Sequence, residues 1–117
     1  MADEAVVTLG QVAEALNLTL RAGEAAPESH VTGGLVGDLL SHIMSRGRRG
    51  MVWITIQAHP NIVAVAALGA LAAVIIADGF EPDEDTIARA DEEAVPLYTS
   101  CEPAYALSGK LYELGVR

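Results

Sequence analysis

The chain has 117 residues, 51% of them hydrophobic and only 4% aromatic, which suits one domain with a core of small aliphatic side chains. Sixteen acidic against seven basic residues give a net charge of -9, and this charge disfavours nucleic acid as a partner because it repels a phosphate backbone. A lone cysteine, Cys101, excludes an internal disulfide, and the acidic start "MADEAVVT" does not look like a secretory signal, so we expect a cytoplasmic protein.

The first predicted elements are a strand, a helix and a second strand. "AVVT" at 5–8 is a short apolar run, and Thr8 and Gln11 have the spacing of a helix capping box. The helix after them carries apolar residues at helical spacing, namely Leu9, Val12, Ala13 and Leu16. "LTLR" at 18–21 alternates like a half-buried strand, and the small, polar "AGEAAPES" that follows predicts a loop.

The second unit is predicted as a glycine-rich turn followed by a helix. "GGLVG" at 33–37 leads to Asp38, whose carboxylate is expected to cap the helix. The apolar residues of this helix are Leu39, Leu40, Ile43 and Met44, and Gly47 ends it. A phosphate-binding loop would need Gly-Lys-Ser/Thr, and the only lysine is Lys110. The arginines at 46, 48 and 49 are interpreted as a solvated helix end rather than an anion site.

From residue 51 onward, strands and helices alternate. Strands are predicted at 51–57, 72–78 and 95–100, and helices after Pro60, at 81–94 and at 103–115, where Gly115 stops the last one. The apolar run at 62–77 is shorter than a membrane-spanning helix and favours a buried helix that turns near Gly69 into a buried strand. The pattern predicts a single α/β domain over residues 1–117: three layers, with a mainly parallel sheet flanked by helices.

The carboxyl ends of the predicted parallel strands carry most of the polar loop residues. Ligands bind at this edge of open α/β sheets, so we predict a ligand-binding site formed by Gln57, His59, Asn61, Asp78, Gly79, Thr99 and Ser100. The alternative is a structural corner in which Asn61 caps a helix, Pro60 sets the turn and His59 is solvated. The scattered histidines predict no metal site, and Cys101 lacks an evident base.

Three stretches resemble the stand-alone DRTGG-type domain, which is related to the N-terminal domain of HPr kinase/phosphorylase: "GGLVGDLLSHIM", "VWITIQAHPNIVAVAALGALAAVIIADG" and "ARADEEAVPLYTSCEPAYALSGKLYELG". The resemblance covers about residues 5–115 and implies an α/β fold similar to the N-terminal domains of Mur ligases, with a regulatory or ligand-sensing role. It does not imply kinase activity, because the phosphate loop belongs to a separate domain. The eponymous Asp-Arg-Thr-Gly-Gly run is absent, with Thr32-Gly33-Gly34 the nearest fragment. An arginine that relatives carry near Ala58-His59-Pro60 is also missing.

The leading hypothesis is a non-catalytic module that senses a nucleotide or phosphorylated metabolite, or docks on a protein partner, as a homodimer. Its cofactor, if any, is not indicated. One alternative is a small enzyme with His59 as acid or base, oriented by Asp78 or Asn61. Another is an assembly subunit whose acidic stretch at 78–93, holding eight of the sixteen acids, meets a basic partner.

Overall fold

The computed structural model describes residues 6–117, in which one five-stranded sheet lies between two layers of helices. The strands are Thr19–Ala22 (β1), Gly33–Val36 (β2), Met51–Thr55 (β3), Ala73–Ile76 (β4) and Leu97–Thr99 (β5). The helices are Leu9–Ala15 (α1), Leu40–Arg46 (α2), Asn61–Gly69 (α3), Glu84–Glu93 (α4) and Ala104–Leu114 (α5). The strand order is β1-β5-β4-β3-β2, with β2 to β5 parallel and β1 antiparallel to β5. The predicted three-layer α/β fold with a mainly parallel sheet is therefore confirmed.

The connections explain how the helices divide between the two faces. Each step from β2 to β5 moves one strand along the sheet in the same direction, so crossovers of constant hand place α2, α3 and α4 on one face. That face has its own core, in which Trp53 and Ile76 pack against Ile43, Val63 and Ala90. The other face is covered by α1 and α5, and the buried residues that these two helices and their ends contribute are Leu9, Val12, Leu16, Leu107 and Leu111.

The stretch "GGLVG" corrects a sequence prediction. Gly33–Val36 is not a turn but the edge strand β2, paired in parallel with β3. Glycine has a low strand propensity, but the hydrogen bonds and packing gained by pairing with the apolar strand β3 outweigh that preference. Helix α5 packs close to this strand, since a β-carbon on Gly34 would make an ordinary van der Waals contact with the Leu111 side chain at 3.6 Å.

The second correction concerns Asp38, which was expected to cap α2 and does not. The cap position is Leu39, which makes no side-chain cap hydrogen bond. The Asp38 carboxylate instead accepts from the Thr55 hydroxyl at 2.7 Å and from the Ile56 N–H at 2.8 Å. Asp38 therefore fastens the segment after β2 to the end of β3.

Other local predictions agree with the structure. The Thr8 and Gln11 capping box is confirmed by its two reciprocal bonds, and Gly115 ends α5 with a φ of 115°. The predicted elements from residue 51 onward are all present. The first strand is wrong as predicted: Val6 and Val7 are not in a strand, Thr8 makes a single bridge to His30, and Ala5 lies outside the described residues.

Candidate functional site

The carboxyl edge of the sheet is shaped by a tight turn after β4. Asp78 and Gly79 both have positive φ, 67° and 77°, and the Phe80 N–H donates to the Ala77 carbonyl at 3.3 Å. These are the features of a type I′ turn, which Asp-Gly sequences favour because glycine adopts positive φ without strain. The turn directs the chain towards α4.

The turn is fastened to the segment that follows β5. The Asp78 N–H donates to the Glu102 carbonyl at 2.8 Å, and the Gly79 N–H donates to the Ser100 carbonyl at 3.0 Å. Both amides are thus occupied, so they are not donors for a ligand. A ligand at this turn would therefore be bound mainly through side chains.

Beside this junction lies a cleft of about 260 Å³. The chain leaves β4 for α4 on one face and leaves β5 for α5 on the other, so the two connections diverge here, as at the ligand-binding crevices of open α/β sheets. The cleft is lined by Leu16, Asn17, Thr19, Gly79, Phe80, Glu81, Thr99, Ser100, Cys101 and Glu102. The structure therefore brings together three of the seven predicted site residues, Gly79, Thr99 and Ser100, and Asp78 directly precedes Gly79.

Arg21 is a charged residue that the sequence prediction missed. It does not itself line the cleft, but it contacts two residues that do, Glu81 and Thr99, and so lies at the rim of the cleft. Its Nη1 lies 2.6 Å from Glu81 Oε1 and 3.5 Å from Thr99 Oγ1, to which it donates. The Arg21 side chain is 27% exposed, whereas that of Glu81 is 68% exposed. Because its partners lie far along the chain, no local spacing marks Arg21; the one available signal is an arginine closing an alternating strand.

The hydroxyl groups of the cleft add hydrogen-bond donors. Thr99 Oγ1 accepts from Arg21, and Ser100 Oγ accepts from the Glu102 N–H at 3.1 Å. A hydroxyl that accepts through its oxygen still has a proton to donate. The Glu102 carboxylate is neutralised by Lys110 at 2.6 Å. One guanidinium and two hydroxyls thus suit an anionic ligand, provided that Glu81 does not occupy Arg21.

Gln57, His59 and Asn61 lie away from this cleft, after β3. Gln57 Nε2 donates to the Asp38 carbonyl at 3.0 Å, and His59 Nδ1 accepts from the Asn61 N–H at 3.3 Å. Asn61 is the first residue of α3 and follows Pro60, as the sequence predicted for the helix start. The cap position is Pro60 and no side chain caps this helix, so the Asn61 cap of the structural alternative is wrong. Because neighbouring strands are roughly 5 Å apart, the end of β3 lies roughly 10 Å from that of β5, so only a ligand of nucleotide size would reach both.

Two further observations limit what the described chain holds. Across residues 6–117, no group of three His, Cys, Asp or Glu side chains is placed to hold a metal ion. Within the same range, no helix has the length and apolar character needed to cross a membrane.

Cys101 is exposed at the cleft and precedes α5 by several residues.

Comparison with known proteins places the fold. The sequence matches no family model and no curated protein. The structure is similar to the CBS and DRTGG domains of the regulatory region of a Clostridium perfringens pyrophosphatase, solved in complex with its activator diadenosine tetraphosphate. The TM-score is 0.73 at 15% sequence identity, over 90% of this chain and 46% of that one.

This likeness concerns the fold. It supports the resemblance to DRTGG-type domains that the sequence suggested, and it leaves the relation to HPr kinase a prediction. The chain spans less than half the length of the regulatory region that it resembles.

Proposed function

We propose that this protein is a non-catalytic regulatory module of the DRTGG type that binds a nucleotide or phosphorylated metabolite in the cleft between the connections after β4 and β5. The observation that carries the proposal is the position of Arg21, which lies beside the Thr99 hydroxyl at the carboxyl edge of the sheet. A planar guanidinium next to hydroxyl donors matches the oxygens of a phosphate. The ligand-bound regulatory region with a similar fold adds support.

The remaining predicted site residues belong to the proposal as contacts of a longer ligand. Phosphate oxygens would bind near Arg21, Thr99 and Ser100. The nucleoside or other organic part would extend across the Asp78-Gly79 turn towards Gln57, His59 and Asn61. This arrangement assigns the charged part of the ligand to the guanidinium at the rim of the cleft.

The enzyme alternative rests on His59, whose Nδ1 is engaged by the Asn61 N–H. Its Nε2 would have to act on a substrate bound outside the cleft. Among the described residues, those that line the proposed cleft offer hydroxyl, amide and carboxylate groups and the Cys101 thiol, but no histidine that could serve as its base. We therefore favour binding without turnover.

The assembly alternative rests on the acidic stretch at 78–93. Several of its carboxylates are used within the chain: Glu81 pairs with Arg21, Glu93 with Arg89, and Asp91 accepts from the Gly23 N–H at 2.8 Å. These bonds give part of the stretch a structural role. A basic partner would be recognised by salt-sensitive co-purification.

Isothermal titration calorimetry tests the proposed function. The ligands are AMP, ATP, diadenosine tetraphosphate and acetyl phosphate, titrated into the wild-type protein and into Arg21→Gln. We expect at least one ligand to bind the wild type and to lose about tenfold in affinity in Arg21→Gln, which corresponds to about 1.4 kcal/mol. Arg89→Gln, which removes an equal charge from the exposed surface of α4, is the control and should bind as the wild type does. Absence of heat with every ligand would contradict the proposal.

A further inference from the structure

We infer that Glu81 is a built-in competitor of the ligand: its carboxylate occupies the Arg21 guanidinium and leaves when an anionic ligand binds. This inference rests on the proposed function and names its regulation. It follows from the ion pair at the rim of the cleft, where Glu81 Oε1 lies 2.6 Å from Arg21 Nη1. A carboxylate and a phosphate compete for the same face of a guanidinium because both offer paired anionic oxygens.

The two members of the pair differ in how firmly they are held. Arg21 extends from β1, which is hydrogen-bonded to β5, and its guanidinium also donates to Thr99. Glu81 lies in the connection between β4 and α4, and its side chain is mostly exposed. The glutamate can therefore rotate into solvent while the arginine stays in place. Exposed ion pairs contribute little to stability, so this exchange is not strongly opposed.

The distribution of charge around the cleft determines how strongly Glu81 opposes the binding of an anion. The Glu102 carboxylate is matched by Lys110, so Arg21 is the cation that an incoming anion would meet at the rim. With Glu81 in place the pair is neutral, and an anion would approach a carboxylate as well as a guanidinium. Like charges in contact at a binding site oppose association. Removing the Glu81 charge should therefore favour anions by freeing Arg21, and this gain should exceed the small effect of removing one negative charge elsewhere on the surface.

Departure of Glu81 also changes how α4 is attached to the sheet. The connection that carries Glu81 is fastened on both sides, by the Gly79 bond to Ser100 and by the Asp83 N–H, which donates to the Ala58 carbonyl at 3.1 Å. The ion pair joins this connection to β1. Ligand binding thus releases one attachment between β1 and the α4 region, whereas the bond from the Gly23 N–H to Asp91, towards the far end of α4, remains.

The test compares Glu81→Gln with Glu92→Gln by titration with ATP and with inorganic tripolyphosphate. Glutamine keeps the size of the side chain and removes its charge, and Glu92 supplies the same loss of charge on the exposed surface of α4. We expect Glu81→Gln to bind both probes about tenfold more tightly than the wild type, and Glu92→Gln to change affinity less than twofold. The gain should vanish when Arg21→Gln is added, since the competition requires the guanidinium. Arg21→Met serves as a second uncharged variant if Arg21→Gln melts below the assay temperature.

The outcomes separate the two proposals. Binding by the wild type with no gain in Glu81→Gln, or an equal gain in Glu92→Gln, would overturn the inference and leave the proposed function standing. Binding by neither the wild type nor Glu81→Gln would overturn both. A gain that persists without Arg21 would show that the competition does not run through this pair and would also overturn the inference.

Discussion

Asp38 and Thr55 are joined by a hydrogen bond of 2.7 Å, in which the buried Thr55 hydroxyl donates to Asp38 Oδ1. The same oxygen accepts the Ile56 N–H. One carboxylate therefore satisfies two donors at the end of β3 and holds the segment after β2 against them. Removal of a partner from such a bond is costly because a buried donor is left unsatisfied.

Asp38→Ala should lower the free energy of unfolding by about 1–3 kcal/mol, measured by urea denaturation. A double-mutant cycle with Thr55→Val separates this role from helix capping. We expect a coupling energy above about 0.5 kcal/mol, because the residues share one bond. Glu28→Ala, an exposed loop substitution, is the control and should stay within about 0.5 kcal/mol of the wild type. Strict additivity of Asp38→Ala and Thr55→Val would contradict the assignment.

Ser100→Ala should weaken ATP binding about tenfold, because a hydrogen bond to an anionic phosphate oxygen contributes about 1.5 kcal/mol. His59→Ala should weaken ATP but not tripolyphosphate, since the shorter anion would not reach the end of β3. Each substitution also removes an acceptor, that of the Glu102 N–H or that of the Asn61 N–H, so both variants should stay folded with melting temperatures lowered by no more than about 5 °C. Phosphorus NMR of the wild type with ATP should show no product; turnover that disappears in His59→Ala would favour the enzyme alternative instead.

We expect Tyr98 to lower the free energy of unfolding at alkaline pH. Burial in the core raises the pKa of its phenol above the ordinary value of 10.0. Above about pH 10 the Tyr98 phenol is ionised in the unfolded chain but still protonated in the folded chain. The free energy of unfolding therefore falls as the pH rises towards the folded pKa. Well below about pH 10 the phenol is protonated in both states and does not affect stability. Tyr98→Phe should flatten the decline in melting temperature between about pH 9 and about pH 11. Tyr105→Phe, at a side chain that is 92% exposed, should leave the decline unchanged; equal effects of the two would contradict the prediction.

The predicted homodimer can be tested at the β2 edge. The opposite edge strand, β1, carries a register irregularity between Leu20 and Ala22, a device that discourages pairing with another chain, whereas β2 has neither a charge nor a proline within Gly33–Val36. We expect light scattering to give about twice the chain mass of 12.2 kDa, and Val36→Lys to shift it towards the monomer. Leu68→Lys, at another exposed apolar site, on α3, should not shift it. A monomeric wild type would refute the prediction.

Gly23 and Gly109 should respond to alanine in opposite directions. A β-carbon on Gly23, whose φ is 76°, would lie 2.0 Å from the Val95 carbonyl oxygen, so Gly23→Ala should lower the free energy of unfolding by more than about 1 kcal/mol. A β-carbon on Gly109, within α5, would meet nothing within 4 Å, so Gly109→Ala should raise it by about 0.5–1 kcal/mol. Urea denaturation of both variants checks the two signs, and a destabilised Gly109→Ala would contradict the second.

The sequence predicted the features that depend on neighbours along the chain. The capping box of Thr8 and Gln11 and the stop at Gly115 are set by residues within one helical turn of each other. The alternation of apolar strands and helices after residue 51 likewise predicted the parallel sheet. The predicted parallel sheet in turn predicted that the candidate site lies at its carboxyl edge.

Features that depend on distant partners could not be predicted. Gly33–Val36 forms a strand because β3 offers it a full row of hydrogen bonds, a stabilisation that its glycines do not reveal. Asp38 precedes a helix in sequence, yet Thr55 lies close enough in space to claim its carboxylate. Arg21 meets Glu81 and Thr99 only after β1 pairs with β5. Each case depends on tertiary pairing rather than on local spacing.

The divergence of the chain after β4 and β5 has a consequence for signalling. One wall of the cleft continues into α4 and the other into α5, and these helices lie on opposite sides of the sheet. A molecule bound between the two walls would contact the segments that lead into both helical layers. Under the proposed function, a domain packed on either layer would respond to occupancy of the cleft without contacting the ligand.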